Sequence, residues 1–142
     1  MTVNQISVFV ENKSGALAQI TRVLSDGGVN MRALSIAETQ DFGVLRLIAD
    51  DDRKAAFVLS DAGYILSVTP VLAVVIRDEP GSLAKTLEIL AKAGIDVEYT
   101  YAFLTPRPGT ACMIFRVKDN EAAAQILSAA GIQLATREEL LL

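Results

Sequence analysis

Two short segments carry the residue types and spacing best suited to holding a small ligand. They are Glu11-Asn12-Lys13-Ser14-Gly15-Ala16-Leu17 and Arg77-Asp78-Glu79-Pro80-Gly81-Ser82-Leu83. Each reads as a strand end running into a helix start, where free backbone N–H groups and the positive end of the helix dipole favour a carboxylate or phosphate. Gly15 and Gly81 let a ligand approach the backbone closely, and Pro80 suits an early helical position. Asn12 and Asp78 equally fit ordinary helix caps, and spacing alone does not separate the two readings. Asn30 and Asp96 form a second pair, each at the start of an extended segment, where a side-chain oxygen can accept from a ligand ammonium or simply face water.

Catalytic chemistry is poorly served. The chain has no histidine, which removes the commonest general base and transition-metal ligand. Its one cysteine, Cys112, lies among Ala111, Met113 and Ile114 and reads as core, and it allows neither an internal disulfide nor a cysteine zinc site. Asp50-Asp51-Asp52 has the charge to attract a cation, but three consecutive acids also suit a helix start. No catalytic residue, metal or cofactor is expected.

The elements that position these residues come from a repeat. At an offset of 66, Gly15-Ala16-Leu17-Ala18 falls on Gly81-Ser82-Leu83-Ala84, and Gly28-Val29-Asn30 falls on Gly94-Ile95-Asp96. Beyond that the offset becomes 68, so that Asp51 meets Asp119 and Ala62-Gly63 meets Ala130-Gly131. The two extra residues fall near Pro106-Arg107-Pro108, where a loop takes an insertion cheaply. The chain therefore divides near Thr69-Pro70 into modules 1–69 and 70–142. In the first, Ile6–Val10 reads as a strand and Asn12–Gly28 as a helix with apolar Leu17, Ile20, Val23 and Leu24 at helical spacing. Val29–Glu38 and Val44–Ala49 form a hairpin, a second helix runs from Asp50 to Ala62, and Tyr64–Val68 is a last strand. The second module repeats this as strand 71–77, helix 81–93, strands 95–104 and 110–117, helix 120–130 and strand 132–136. The order βαββαβ, twice, predicts an α+β fold of two tandem ferredoxin-like modules, each a four-stranded antiparallel sheet with two helices on one face.

Alternation along the second strand of module two puts Ile95, Val97, Tyr99, Tyr101 and Phe103 on one face, leaving apolar area for the helix-free side to bury. Tyr99 and Tyr101 can line a pocket or pack against a sheet, and Leu140–Leu142 is either a frayed end or an oligomer contact. A unit of ~70 residues is marginal alone, so a homodimer is expected. Within a module the β1–α1 turn and Asn30 fall at opposite ends, so they can grip one ligand only if they come from different modules or subunits. A site so built couples ligand occupancy to packing, as an allosteric sensor requires. A net charge of −4 argues against nucleic acid and against a polybasic membrane surface. The longest apolar run, Val71–Ile76, is far short of a membrane span, and the N-terminus lacks a signal-peptide pattern, so a cytoplasmic location is expected.

The doubled order, the two glycine turns and the steps Gly28-Val29-Asn30 and Gly94-Ile95-Asp96 resemble ACT domains. Ala33-Leu34-Ser35-Ile36-Ala37-Glu38, Asp41-Phe42-Gly43-Val44-Leu45-Arg46 and Glu98-Tyr99-Thr100-Tyr101-Ala102-Phe103 are similar to small stand-alone tandem members in particular. The resemblance implies a regulatory module that binds a free amino acid at module or subunit interfaces and does no catalysis. It carries polar ligand contacts onto Asn12, Asn30, Asp78 and Asp96, and close approach onto Gly15 and Gly81. Glu11, Ser14, Ala16, Leu17, Pro80, Ser82 and Leu83 complete the expected surroundings. Departures are Ser14 where proline is common, and Asp at both polar positions of module two. Two alternatives remain beside the sensor. One is a ligand-free regulatory subunit of an amino-acid metabolic enzyme. The other is an acylphosphatase-like hydrolase, which shares the ferredoxin-like order but needs an anion-gripping cation in its first turn.

Overall fold

The computed structural model describes residues 2–104 and 107–142. Among them are four helices and seven strands, with Asn4–Thr69 and Pro70–Leu141 as two compact units.

In the first unit, β1 (Val3–Glu11) pairs antiparallel with β3 (Phe42–Ala49), and β3 pairs with β2 (Met31–Glu38). The even-numbered residues Ile6, Val8 and Val10 of β1 and Leu45, Leu47 and Ala49 of β3 turn to one face. Two helices cover that face. α1 (Ala16–Asp26) contributes Ala16, Ile20 and Leu24, and α2 (Asp52–Asp61) contributes Ala55 and Leu59. These residues recur every four positions, which makes one stripe per helix. Ile6, Ile20, Leu24, Leu47 and Leu59 are fully buried, each contributing about 1.5–3 kcal/mol by leaving water.

The second unit is built alike. β4 (Leu66–Arg77) pairs with β6 (Thr110–Val117) and with the short β7 (Gln133–Leu134), while β6 pairs with β5 (Val97–Phe103). Leu72, Val74, Phe115 and Val117 face α3 (Ser82–Lys92) and α4 (Asn120–Ala129) through Leu90, Ala123 and Leu127. All four helices stop the same way. Gly28, Gly63, Gly94 and Gly131 adopt positive φ, and the residue after each donates back to the helix, as in Val29 N–H to Leu24 O at 2.9 Å. This is the Schellman arrangement, with its apolar contact between the residue after the glycine and the last turn.

Two expectations change. Two separate four-stranded sheets require eight strands, but 64–68 and 71–77 are not separate. From Leu66 they run together as β4, through Thr69-Pro70. The alternation expected along residues 95–104 also fails. Val97 pairs with Val117 but Tyr99 pairs with Arg116, a bulge that advances β5 by two residues against one. Val97 therefore stays with the helix-side core, while Tyr99, Tyr101 and Phe103 turn to the other face. β2 carries the same bulge between Met31 and Ala33. Tyr101, Phe103, Cys112 and Ile114 are buried all the same, and Tyr99 stacks on Tyr101 with centroids 6.4 Å apart. Leu140 is buried and hydrogen-bonded to Thr136 and Arg137, so the C-terminal turn is not frayed at that point. Pro106, beside the expected two-residue insertion, lies outside the described residues.

Candidate functional site: the two glycine-started helix ends

Both expected turns sit where a β-strand delivers the chain to a helix. α1 starts behind Gly15 (φ 85°) and α3 behind Gly81 (φ 91°), and neither helix has a side-chain cap. Only glycine takes this left-handed conformation without strain. A Cβ built on either residue meets nothing within 4 Å, so the space in front of both is open. Asn12 and Asp78 are therefore not the caps. Asn12 instead clamps the β2–β3 hairpin. Its backbone N–H donates to Asp41 O at 3.1 Å, and its Nδ2 donates to Thr39 O and Gln40 O at 3.3 and 3.4 Å. Its Oδ1 remains an acceptor. In the second unit the Asp78 N–H makes the equivalent bond to Gly109 O, at 3.1 Å.

Four of the expected residues, Glu11, Asn12, Ala16 and Leu17, meet around one cavity of about 120 Å³, together with Val10, Ile36, Glu38 and Leu45. Ser14 is exposed in the turn beside it. Ile36 and Glu38 of β2 were not anticipated as lining. They stand at the hairpin end that Asn12 clamps, a contact 27 residues away in sequence. Of the corresponding residues in the second unit, Ser82 lines a different cavity and Leu83 packs against the core. Pro80 lies in the turn ahead of Gly81, not within the helix, because Gly81 and Ser82 already fill the cap and first helical positions.

Asn30 lies apart from the turn. Its backbone N–H donates to Asp50 Oδ1 at 3.0 Å, and Asp50 N–H donates back to Asn30 O. Eight residues of extended chain separate it from Glu38, roughly 26 Å at the rise of a strand. Asp96 is exposed on a broad depression with Ile95, Glu98, Lys118 and Asn120.

Charges at the turns are mostly self-neutralised. Lys13 Nζ lies 2.7 Å from Glu11 Oε2. Their hydrogen bond, then their mutual attraction, holds the Glu11 carboxyl below its ordinary range and pushes the Lys13 ammonium up. An acylphosphatase-like turn needs that cation for its substrate. Asp50, Asp51 and Asp52 direct carboxylate oxygens to the N–H groups of Asn30, Asp51, Arg53 and Lys54. Among the described residues no group of His, Cys, Asp and Glu is arranged to hold a metal ion. Burial, with the nearby Glu139 carboxylate second, pushes the Cys112 thiol up to about 11, which keeps it protonated and unreactive near neutrality.

No helix of the described residues is long and apolar enough to cross a membrane. No curated protein matches the sequence. Among solved structures, protein BT0572 from Bacteroides thetaiotaomicron is 35% identical, with a TM-score of 0.91 over 99% of this chain and 96% of its own. The ligand-free regulatory subunit of aspartate kinase from Thermus thermophilus is 17% identical, with a TM-score of 0.66 over 89% and 91%. The same subunit from Thermus flavus is 16% identical, with a TM-score of 0.64 over 90% and 92%. These last two share the fold. The model of a tandem pair of such domains matches residues 1–141, and the chain belongs to that family, the ACT domain pair.

Proposed function

We propose that this chain is a non-catalytic regulatory protein that binds a free amino acid at the β1–α1 turn, with 1–69 and 70–142 as its two ACT modules. The observation that carries the reading is the open, glycine-started end of α1, where no side chain caps the helix. The ligand α-carboxylate would take the free N–H groups there. Asn12 Oδ1 would accept from the ammonium, and the side chain would lie toward Leu17 and Ile36. The second unit repeats the open helix end at Gly81, with Asp78 in place of Asn12. Asn30 and Asp96 enter this reading as residues contributed by a second copy of the chain in a homodimer, since Asn30 is too far from its own turn. Binding would then stabilise one packing of subunits over another, which is the physical content of regulation. A cytoplasmic location accompanies this reading.

A thermal-shift panel of the twenty amino acids tests it. Ligand at ~100 times Kd adds about 2.7 kcal/mol of stability. Asn12→Ala should weaken binding of the active ligand more than Lys13→Ala. No shift at millimolar concentration for any amino acid contradicts the reading.

A second reading, a regulatory subunit without its own ligand, is favoured by exposed Phe9, Phe42 and Ile65, the first two in edge-to-face contact at 6.4 Å. It matches the role named for the Thermus proteins. Affinity capture would recover a stoichiometric enzyme if it holds, and the chain alone if it does not.

A further inference from the structure

The two units carry the same second cavity with different chemistry. It lies where the last strand residues before the glycine turn meet the helix start and the chain leaving the second helix. In the first unit it holds about 330 Å³ and is lined by Glu11, Lys13, Ala16, Gln19, Tyr64 and Ile65 among others. In the second it holds about 540 Å³, and the equivalent lining is Arg77, Glu79, Ser82, Lys85, Ile132 and Gln133. Both volumes fall within the range of small-molecule sites, so the lining must separate the two.

The differences run mostly one way. The ion pair reverses its sense, from Glu11–Lys13 at 2.7 Å to Arg77–Glu79 at 3.9 Å, which leaves most guanidinium N–H groups available. Gln19 becomes Lys85, whose ammonium has no ion-pair partner among the described residues. Ala16 becomes Ser82, and Ile65 becomes Gln133. Buried Ile20 becomes Thr86, 2% exposed, which lines the cavity while its hydroxyl donates to Ser82 O at 2.9 Å. That bond satisfies the buried hydroxyl within its own helix and leaves its oxygen lone pairs facing the cavity. Tyr64 to Ile132 is the one change that loses a polar group. The formal charge of the lining rises from zero to +1.

We infer that the second unit's cavity is a site for a small anionic ligand, its carboxylate or phosphate held by Arg77 and Lys85 and its polar remainder by Ser82, Thr86 and Gln133. The first unit's cavity, neutral and smaller, is its silent counterpart. This site shares only Ser82 with the residues proposed for amino-acid binding and stands whether or not that binding occurs.

The test is amide chemical-shift mapping of the full chain at low ionic strength, with inorganic phosphate in one titration and acetate in another. Saturable shifts confined to Arg77, Ser82, Lys85, Thr86 and Gln133 are expected, with Gln19 and Ile65 of the first unit's cavity unmoved. A response to phosphate alone points to phosphorylated ligands, and one to acetate alone points to carboxylates. Lys85→Gln, which installs the residue of the first unit on an exposed helix position, should weaken binding about tenfold, the loss of one charge-assisted hydrogen bond. Shifts at neither cavity, equal shifts at both, or unchanged binding in Lys85→Gln overturns the inference. Because the probes are not amino acids and the amides read are not those of the Asn12 turn, this result is separable from failure of the amino-acid reading.

Discussion

Each unit begins its two helices in two different ways. α2 and α4 start behind Asp51 and Asp119, in extended conformation, whose carboxylates accept from the N–H groups of Lys54 and Ala122 at 2.9 and 3.0 Å. α1 and α3 start behind glycines in the left-handed region, with no side-chain cap; their first N–H groups, of Ala16 and Ser82, bond the turn carbonyls of Lys13 and Glu79. An Asp cap is worth ~1 kcal/mol over alanine but only a few tenths over glycine, so two of four helices forgo a small stabilisation the other two take. All four helices follow a strand, but those that forgo the cap start behind a glycine on which a Cβ would meet nothing within 4 Å. The contrast separates helix ends built to hold the fold from helix ends left free to hold something else.

Putting a β-branched side chain at the open ends should have the largest effect. Gly15→Val or Gly81→Val forces a residue into positive φ that it avoids, at ~2 kcal/mol or more, and fills the space before the N–H groups. Denaturant melts should show the loss of stability, and any amino-acid response should vanish with Gly15→Val. If Gly15→Val melts like wild type, the open-end geometry is wrong. Next in size, Asp51→Ala and Asp119→Ala should each cost about 1 kcal/mol yet leave amino-acid affinity unchanged. A large loss of affinity would erase the distinction between the two kinds of helix end. Asn12→Ala should cost only a few tenths of a kcal/mol, since its side-chain bonds are long and exposed, while weakening ligand by about tenfold. The smallest effect concerns the Glu11–Lys13 pair. Both groups are fully exposed, so Lys13→Ala should leave the melting midpoint unchanged. It should move only the Glu11 titration, from below the ordinary carboxylate range back into it. The sign follows from the lowered carboxyl: the pair's small contribution is present above the ordinary carboxylate pKa and fades as pH falls through the lowered one. Side-chain carboxyl NMR reads it directly.

Much of the fold could be read from local pattern, and much of the site could not. Glycines after apolar helical runs marked all four helix ends, because the Schellman turn is local chemistry. Apolar spacing likewise put Ile20 and Leu24 on the buried stripe of α1, although Leu17 of the same run is exposed. Three features depend on distant partners. Asn12 looked like a cap because it precedes a helix, yet its side chain turns to a hairpin loop 27 residues on. The bulges hide in sequences that alternate well, since Val97-Glu98-Tyr99 gives no sign that its partner strand advances only from Val117 to Arg116. Pro70 marks the point where the two compact units divide, but the strand does not stop there: β4 runs through it, and a strand tolerates proline where its ladder needs no donor. The lining of the second unit's polar cavity was available in the offset of 66, which sets Glu11 against Arg77 and Gln19 against Lys85.

The most direct measurement is a crystal structure of the full chain grown with the amino acid that most raises its melting temperature. Electron density for that ligand is expected within hydrogen-bonding reach of Asn12 or of the first-turn N–H groups that follow Gly15 or Gly81. Ordered ligand found only at the Asp-capped starts of α2 and α4, or no ligand bound at either glycine-started helix, would contradict it.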